Sequence, residues 1–529
     1  MHLKSSRAYL YQMHLKQLPA TPVFLFLLLA ALLSGCVSNR KTFDPAAKYP
    51  ADKLQRDYTI FRNILEESHP SVSWYTPADS MKYYFDWGYS RIKDSMDQRE
   101  FRTLLAYVMA KIHCGHTSTR FSKSYLHYLD TANLSYFPVS IKILENDTIL
   151  LSNTIQRGNE VVPRGTILTS LNGMPINKLT DSLSRFIPND GYNDSYLRQA
   201  LSNRGAFGAW IRLVNGLQNN YSLGYIDTTG KEQTLSFRLQ EPRKKDTTRK
   251  PVVPQLKEKL KRRDKIEEKR FNARNLQIDT ALSTAYMTVN TFNNGYGLHS
   301  FFKNSFRELR MAKTKHLVID IRSNGGGNVN HSTFLTRFIA NDRFKLADSL
   351  YAISRKSRYG KYIQYRAFSA PFLSLITHRE ADGKYHFGYF ERHRFKPRKK
   401  DHYNGNVYVL TGPNSFSAAA LFANAMKGQP RALLIGEETG GAAYGNTAWF
   451  IPNVTLPETG VRFRLPKFRL VIDKNRVKDG RGVLPDLEVK TTRESLIQNR
   501  DLKVEAVRAL IENANRAAGA SVQHQAGLP

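Results

Sequence analysis

The chain has 529 residues, 41% of them hydrophobic, and a formal net charge of +34. At about 150 residues per domain that length suits roughly two to four domains, and the hydrophobic fraction excludes a disordered chain or a polytopic membrane protein. The charge favours anionic partners or simply decorates solvated faces; no zinc finger, basic zipper or aromatic-basic RNA-binding motif accompanies it, so no nucleic-acid partner is expected.

The first residues read as an address. Lys4, Arg7 and Lys16 precede an apolar run from Val23 to Leu33. Eleven residues at ~1.5 Å each reach only ~17 Å, against ~30 Å of hydrocarbon, which suits a signal-peptide core and not a spanning helix. The run ends in Leu33-Ser34-Gly35-Cys36, which resembles a bacterial lipobox, with Cys36 as the lipidation site. The alternative is an ordinary signal peptide with a chance cysteine. Acyl chains, at about 0.8 kcal/mol per buried methylene, then hold the protein at a membrane of the cell envelope. With Cys36 assigned to processing, Cys114 is left alone and no intramolecular disulfide is expected.

Residues 36–136 are expected to form an N-terminal helical domain. Leu54, Tyr58, Phe61 and Leu65 mark one helix, ended by His69-Pro70. Phe101, Leu104, Leu105, Val108, Met109 and Ile112 mark a second buried face. It is expected to stop at Cys114-Gly115 with Gly115 as a left-handed cap, delivering His116 to a fixed point.

Residues 137–240 change to short strands, Val139–Leu144 and Thr148–Ser152, then Pro163-Arg-Gly-Thr-Ile-Leu-Thr-Ser-Leu-Asn-Gly173 and a helix near Leu179–Leu183. The glycine–isoleucine–Leu-Asn-Gly run before a helix resembles a PDZ domain, a fold that binds extended peptides at a sheet edge; unrelated small β domains also carry such turns. Residues 241–275 are highly charged and lack an apolar stripe, which predicts a solvated helix or flexible linker.

Residues 276–495 alternate strands and helices: Ala285–Val289, a helix over Phe301–Leu309, Leu317–Ile321, Val407–Leu410, a helix over Ala418–Met426, and Leu433–Ile435. A basic, aromatic insertion covers about 341–402. The alternation predicts an α/β domain with a mostly parallel sheet, and residues 496–529 a C-terminal helix and tail.

Ser417 falls where a buried strand turns into a helix, so a substrate oxyanion would meet free amides and the positive helix end. Taken singly, such a serine is more often a helix cap. Asn324-Gly325-Gly326-Gly327 directly after a strand lets backbone amides approach a ligand, though a plain flexible turn reads the same. The ordered set decides: Ile319-Asp-Ile-Arg-Ser-Asn-Gly-Gly-Gly327, Ser415-Phe-Ser-Ala-Ala419, Gly436-Glu-Glu-Thr-Gly-Gly441 and Gly482-Val-Leu-Pro-Asp486, behind Cys114-Gly-His-Thr117. This series resembles the serine peptidases that include the C-terminal-processing (tail-specific) proteases and the tricorn core protease.

The resemblance implies a crotonase/ClpP-like α/β core, Ser417 as nucleophile, and an oxyanion hole from the amides of Gly326 and Ala418. In the processing branch a lysine base lies in a Gly-Lys-Gly segment; here Thr439-Gly-Gly-Ala-Ala443 has none, with Lys467 the nearest substitute. The tricorn-like branch uses a histidine from the N-terminal part, matched by His116, and an acid matched by Asp479, an aspartate where that branch carries glutamate. Ala420 departs from the acidic residue often found after Ser-Ala-Ala, and Gly115 from a serine. His69, His113 and Asp320 are expected to be structural. The expectation is a membrane-anchored endopeptidase acting on envelope polypeptides with no metal or organic cofactor. Its alternative is a non-catalytic lipoprotein that binds peptides or envelope polymers. Oligomeric state is not legible.

Overall fold

The computed structural model describes residues 43–146, 148–241 and 262–526. The leader, its apolar run and Cys36 lie outside these, as do residues 242–261 of the basic stretch. Among the described residues no helix is long and apolar enough to cross a membrane.

Three helices come first: α1 (Ala51–Ser68), α2 (Ala78–Ser90) and α3 (Gln98–Ala110). Leu54, Tyr58, Phe61 and Leu65 are fully buried, so the stripe read from sequence is the face α1 packs. A capping box starts α3: the Asp97 carboxylate accepts from Glu100 N at 2.8 Å, and the Glu100 carboxylate from Asp97 N at 2.9 Å. The helix ends at Ala110, earlier than its apolar spacing suggests, and the left-handed residue beyond it is His113, at φ 54°, not Gly115. Gly115 is a glycine for space: a Cβ there would lie 2.5 Å from Phe416 Cζ.

The core of these helices also takes in Val454, Leu456, Phe463 and Leu465 from far along the chain. Strand Arg462–Arg464, which forms a hairpin with Asn453–Thr455, also pairs with Thr119–Arg120, so sheet pairing anchors the chain just after His116. Each large apolar side chain buried here contributes about 1.5–3 kcal/mol.

Residues 137–240 have a core of their own, in which Ile141, Leu151, Leu171, Leu223 and Phe237 pack with Leu183, Leu201 and Phe207 of three short helices. The two expected first strands are the hairpin Ile141–Ile143 and Ile149–Leu151. Asn172 and Gly173, at φ 50° and 77°, make the tight turn between Leu168–Leu171 and Met174–Pro175.

A six-stranded sheet runs in the order β1 (Arg274–Asp279), β2 (Thr284–Val289), β3 (His316–Asp320), β4 (Asn406–Thr411), β5 (Ala432–Gly436), β6 (Leu487–Glu488). Only β1 and β2 are antiparallel. Alternate residues serve opposite faces. Leu317, Ile319, Val407, Val409 and Leu434 pack under α4 (Leu298–Met311), α5 (Val329–Thr336) and α6 (Ala418–Met426). Val318, Tyr408, Leu410 and Ile435 meet Val507 and Ile511 of α7 (Leu502–Ala526) on the other face. Helices on both faces explain why these strands read as unbroken apolar runs, and the α/β class expected from sequence holds.

The basic stretch differs in one respect. Its described part is a helix, Arg262–Ala273, with Ala273 alone buried, but Arg274 already opens β1, so the sheet begins inside the expected linker. The insertion contributes strands of its own. Its strand Ser349–Ala352 pairs with Phe468–Val471, which pairs with Gly445–Ala448, in a second, five-stranded sheet.

Candidate active site

The strand ends of the parallel sheet are tied together by one side chain. Asn324 is fully buried; its Nδ2 donates to Val289 O at the end of β2 (2.9 Å), its Oδ1 accepts from Gly326 N (2.8 Å), and its carbonyl accepts from Phe416 N (3.0 Å). Ser415 Oγ donates to Ile321 O at 2.9 Å, fixing the turn after β4 to the turn after β3. An asparagine is required because it offers a donor and an acceptor at one point.

Ser417 sits on that fixed turn at φ 53° and ψ −120°, a conformation an L-residue holds only under constraint, and α6 starts at the next residue. It lines a cavity of about 360 Å³ with Gly327, Ala418, Leu421, Asn446 and Trp449. Gly326 backs the serine: at φ 94°, a Cβ would fall 2.7 Å from Ser417 Cβ and 2.9 Å from Ala418 N.

The Gly326 amide differs from expectation. Its N–H is taken up by Asn324 Oδ1, so it is not free for an oxyanion. Gly327, at φ 139°, lines the cavity, and its N–H has no acceptor among the described residues; the same holds for Ala418 N–H at the start of α6.

His116 is buried, with its ring 4.9 Å from that of Phe416, the neighbour of Ser417. Neither ring nitrogen has a hydrogen-bond partner among the described residues. Burial, and secondarily the positive Arg464, lower its pKa to about 3. The carboxylate that faces it belongs to Asp190, whose Oδ1 lies 4.0 Å from His116 Nδ1. Asp190 accepts from Gly115 N at 2.8 Å and from the backbone of Ala442, yet burial outweighs both and pushes its pKa up to about 7. Each charge would support the other, since an ionised carboxylate at this range favours imidazolium.

Asp479 is not placed against His116. It is exposed, and its Oδ1 accepts from Arg481 N at 2.9 Å. The reason lies in the next residue: Gly480 packs on Gly191, where a Cβ would approach it to 2.5 Å, and its carbonyl accepts from Tyr192 N. The 478–482 segment therefore reaches the edge of the site, and the turn it leans on supplies the buried carboxylate. No motif marks Asp190 in the sequence; Asn189-Asp-Gly191 reads as an ordinary turn.

Ala442, where a lysine base would lie, is buried and bonded through its backbone to Asp190. Lys467 is buried and lowered to about 8 by desolvation, but its Nζ donates to Ser354 Oγ at 3.1 Å and not to Ser417. His69, His113 and Asp320 each have partners: Thr117 Oγ1 at 2.7 Å, Asn189 Oδ1 at 3.3 Å and Arg322 at 2.6 Å.

Residues 283–489 match the family model described as Peptidase family S41. The parallel-sheet region that holds Ser417 thus carries an S41 peptidase domain, and the protein is a serine peptidase. Among curated proteins none matches it. Among solved structures the peptidase is similar to mature CPAF complexed with lactacystin, at 13% identity and TM-score 0.61, over 88% of this chain and 98% of that one. Mature CPAF alone gives 14% identity and TM-score 0.57, over 84% and 94%. At these identities the likeness concerns the fold. The matched span contains the glycine run, Ser417, Ala442 and Asp479, whereas His116 and Asp190 lie before it.

Proposed function

We propose that this peptidase works through Ser417, His116 and Asp190, with Ala418 N–H and Gly327 N–H as the oxyanion hole. The observation that carries this reading is the buried imidazole of His116 between Asp190 and the ring of Phe416, the residue before Ser417, in a chain with no lysine at 442. A serine hydroxyl is too weak an acid to attack unaided. His116 takes the Ser417 proton as Oγ adds to the peptide carbonyl, and returns it to the leaving amine. Asp190 orients the ring and stabilises the imidazolium. The two amides meet the oxyanion, a contribution worth about 10²–10³-fold per donor in rate. Ser417 and His116 are not hydrogen-bonded in the free protein, and such contacts commonly tighten only when substrate binds.

The wider reading is a crotonase/ClpP-like core fed by a PDZ-like region at 137–240, in a lipoprotein held at the cell envelope through Cys36 and acting on envelope or periplasmic polypeptides. Support for the anchor is the sequence order of basic leader, short apolar run and Ser-Gly-Cys36. Support for polypeptide substrates is the family itself. A fluorophosphonate probe tests the catalytic part: it should label wild type at Ser417 and fail on Ser417→Ala and His116→Ala. Equal labelling of all three would remove Ser417 from the mechanism. Radiolabelled fatty acid should enter wild type but not Cys36→Ala.

A further inference from the structure

We propose that Cys114, His116 and Asp190 form a zinc-type cation site whose occupation switches the peptidase off. The ligand atoms of these three buried residues lie within 4.8 Å of one another. A tetrahedral centre with Zn–S of about 2.3 Å and Zn–N or Zn–O of about 2.0 Å needs them about 3.3–3.6 Å apart. Closing by about an ångström makes the site, with a fourth position left for water.

Two independent observations point to a ligand. The first is unmet bonding: both ring nitrogens of His116 and Oδ2 of Asp190 are buried and have no partner among the described residues. Three such buried atoms in one cluster are costly to leave without a partner. The second is what surrounds the sulfur. Ser71 N donates to His69 Nδ1 at 3.1 Å, which leaves His69 Nε2 to donate to Thr117 Oγ1 at 2.7 Å, and Thr117 Oγ1 donates to Cys114 Sγ at 3.1 Å. The sulfur thus accepts from Thr117 while its own thiol donates to Thr447 O at 3.7 Å; a cation would take the place of that thiol proton and keep the Thr117 donor behind the thiolate. Asp190 is likewise oriented from behind, through Gly115 N.

Binding releases the thiol proton of Cys114 to solvent, so affinity rises with pH. The effect on activity rests on the reading of His116 as the base. A cation on either ring nitrogen removes the free lone pair or fixes the tautomer, and Ser417 then has nothing to receive its proton.

Cobalt(II) is the probe, because thiolate ligation gives a near-ultraviolet charge-transfer band and tetrahedral geometry strong visible bands. Titration of the full-length protein should give both bands at one equivalent, abolished by one equivalent of zinc. Cys114→Ser and Cys114→Ala should lose the charge-transfer band while retaining the wild-type circular dichroism spectrum, and Asp190→Asn should bind about 10–100-fold more weakly. Absence of the bands in wild type, or their persistence in both Cys114 variants, would overturn the site. Zinc should block fluorophosphonate labelling of Ser417 in wild type, reversibly by chelator, but not in Cys114→Ser. If cobalt binds as described and labelling is unaffected, the cation site stands as a site, and the switch falls together with His116 as base.

Discussion

Asp190 presents Oδ1 to Nδ1 of His116 at 4.0 Å while accepting from the amide of Gly115 and the backbone of Ala442. One carboxylate thus joins the histidine loop to the segment that follows β5. We predict that Asp190→Asn lowers kcat by about 10²–10⁴-fold with the fold retained, by analogy of role with the acid of a serine triad. Asp479→Asn, at an exposed carboxylate bonded to its own loop, should stay within about threefold of wild type. Steady-state cleavage of a quenched-fluorescence peptide by the two variants decides it. A severe loss in Asp479→Asn with a mild one in Asp190→Asn would restore the acid expected from sequence.

Nucleophile and base act as a unit, so their losses should not add. Ser417→Ala and His116→Ala are each expected to remove about 10⁴–10⁶-fold of activity, and the double variant no more than the larger single loss. Lys467→Ala should leave the chemistry in place, since Lys467 is bonded to Ser354. Full activity in His116→Ala with loss in Lys467→Ala would reassign the base.

Gly115 makes a third test because its role is spatial. A methyl group at 115 would meet the Phe416 ring at 2.5 Å and Asp190 Oδ1 at 3.3 Å. Gly115→Ala should therefore destabilise the protein by about 1–3 kcal/mol and depress kcat/KM. Adding Phe416→Leu should recover part of the stability. Urea unfolding of the single and double variants measures the recovery; its absence would show that Phe416 does not set the constraint.

These residues also show what the sequence could and could not carry. The parallel sheet was legible because strands such as Leu317–Ile321 are buried on both faces and read as continuous apolar runs. Ser417 was legible because the turn that presents it joins a strand to a helix, a local event. The bond of the Gly326 amide was not legible because it depends on the side chain of Asn324, two residues back, folding over it. Asp190 was invisible because its meaning arises only when a turn in the 137–240 region lands between residues 115 and 442. Gly480 leans on that same turn, while the Asp479 carboxylate bonds to its own loop, a difference no local pattern encodes.

The burial of the pair predicts a pH signature in stability. Asp190 has its pKa raised from 3.8 to about 7 in the folded protein. Between those values the folded state keeps a proton that the unfolded chain has lost, so the unfolded state binds fewer protons and stability falls as pH rises. The contribution is complete below about pH 4 and is lost as pH rises through about 7. His116 runs the other way: its pKa is lowered from 6.5 to about 3, so its contribution is present above about 6.5 and lost as pH falls toward 3. In the wild type the two slopes oppose each other from about pH 4 to 6.5, and melting should be nearly insensitive to this pair. Asparagine cannot titrate, so Asp190→Asn leaves the His116 slope unopposed. Its Tm relative to wild type should climb between about pH 4 and about pH 7, by roughly 1 °C per kcal/mol recovered, since unfolding entropy scales with chain length. Parallel thermal melts of the two proteins across that range measure the difference directly. A flat or falling difference would mean that Asp190 is already ionised in the folded protein and pairs with imidazolium, which would place the proton of the resting enzyme on His116.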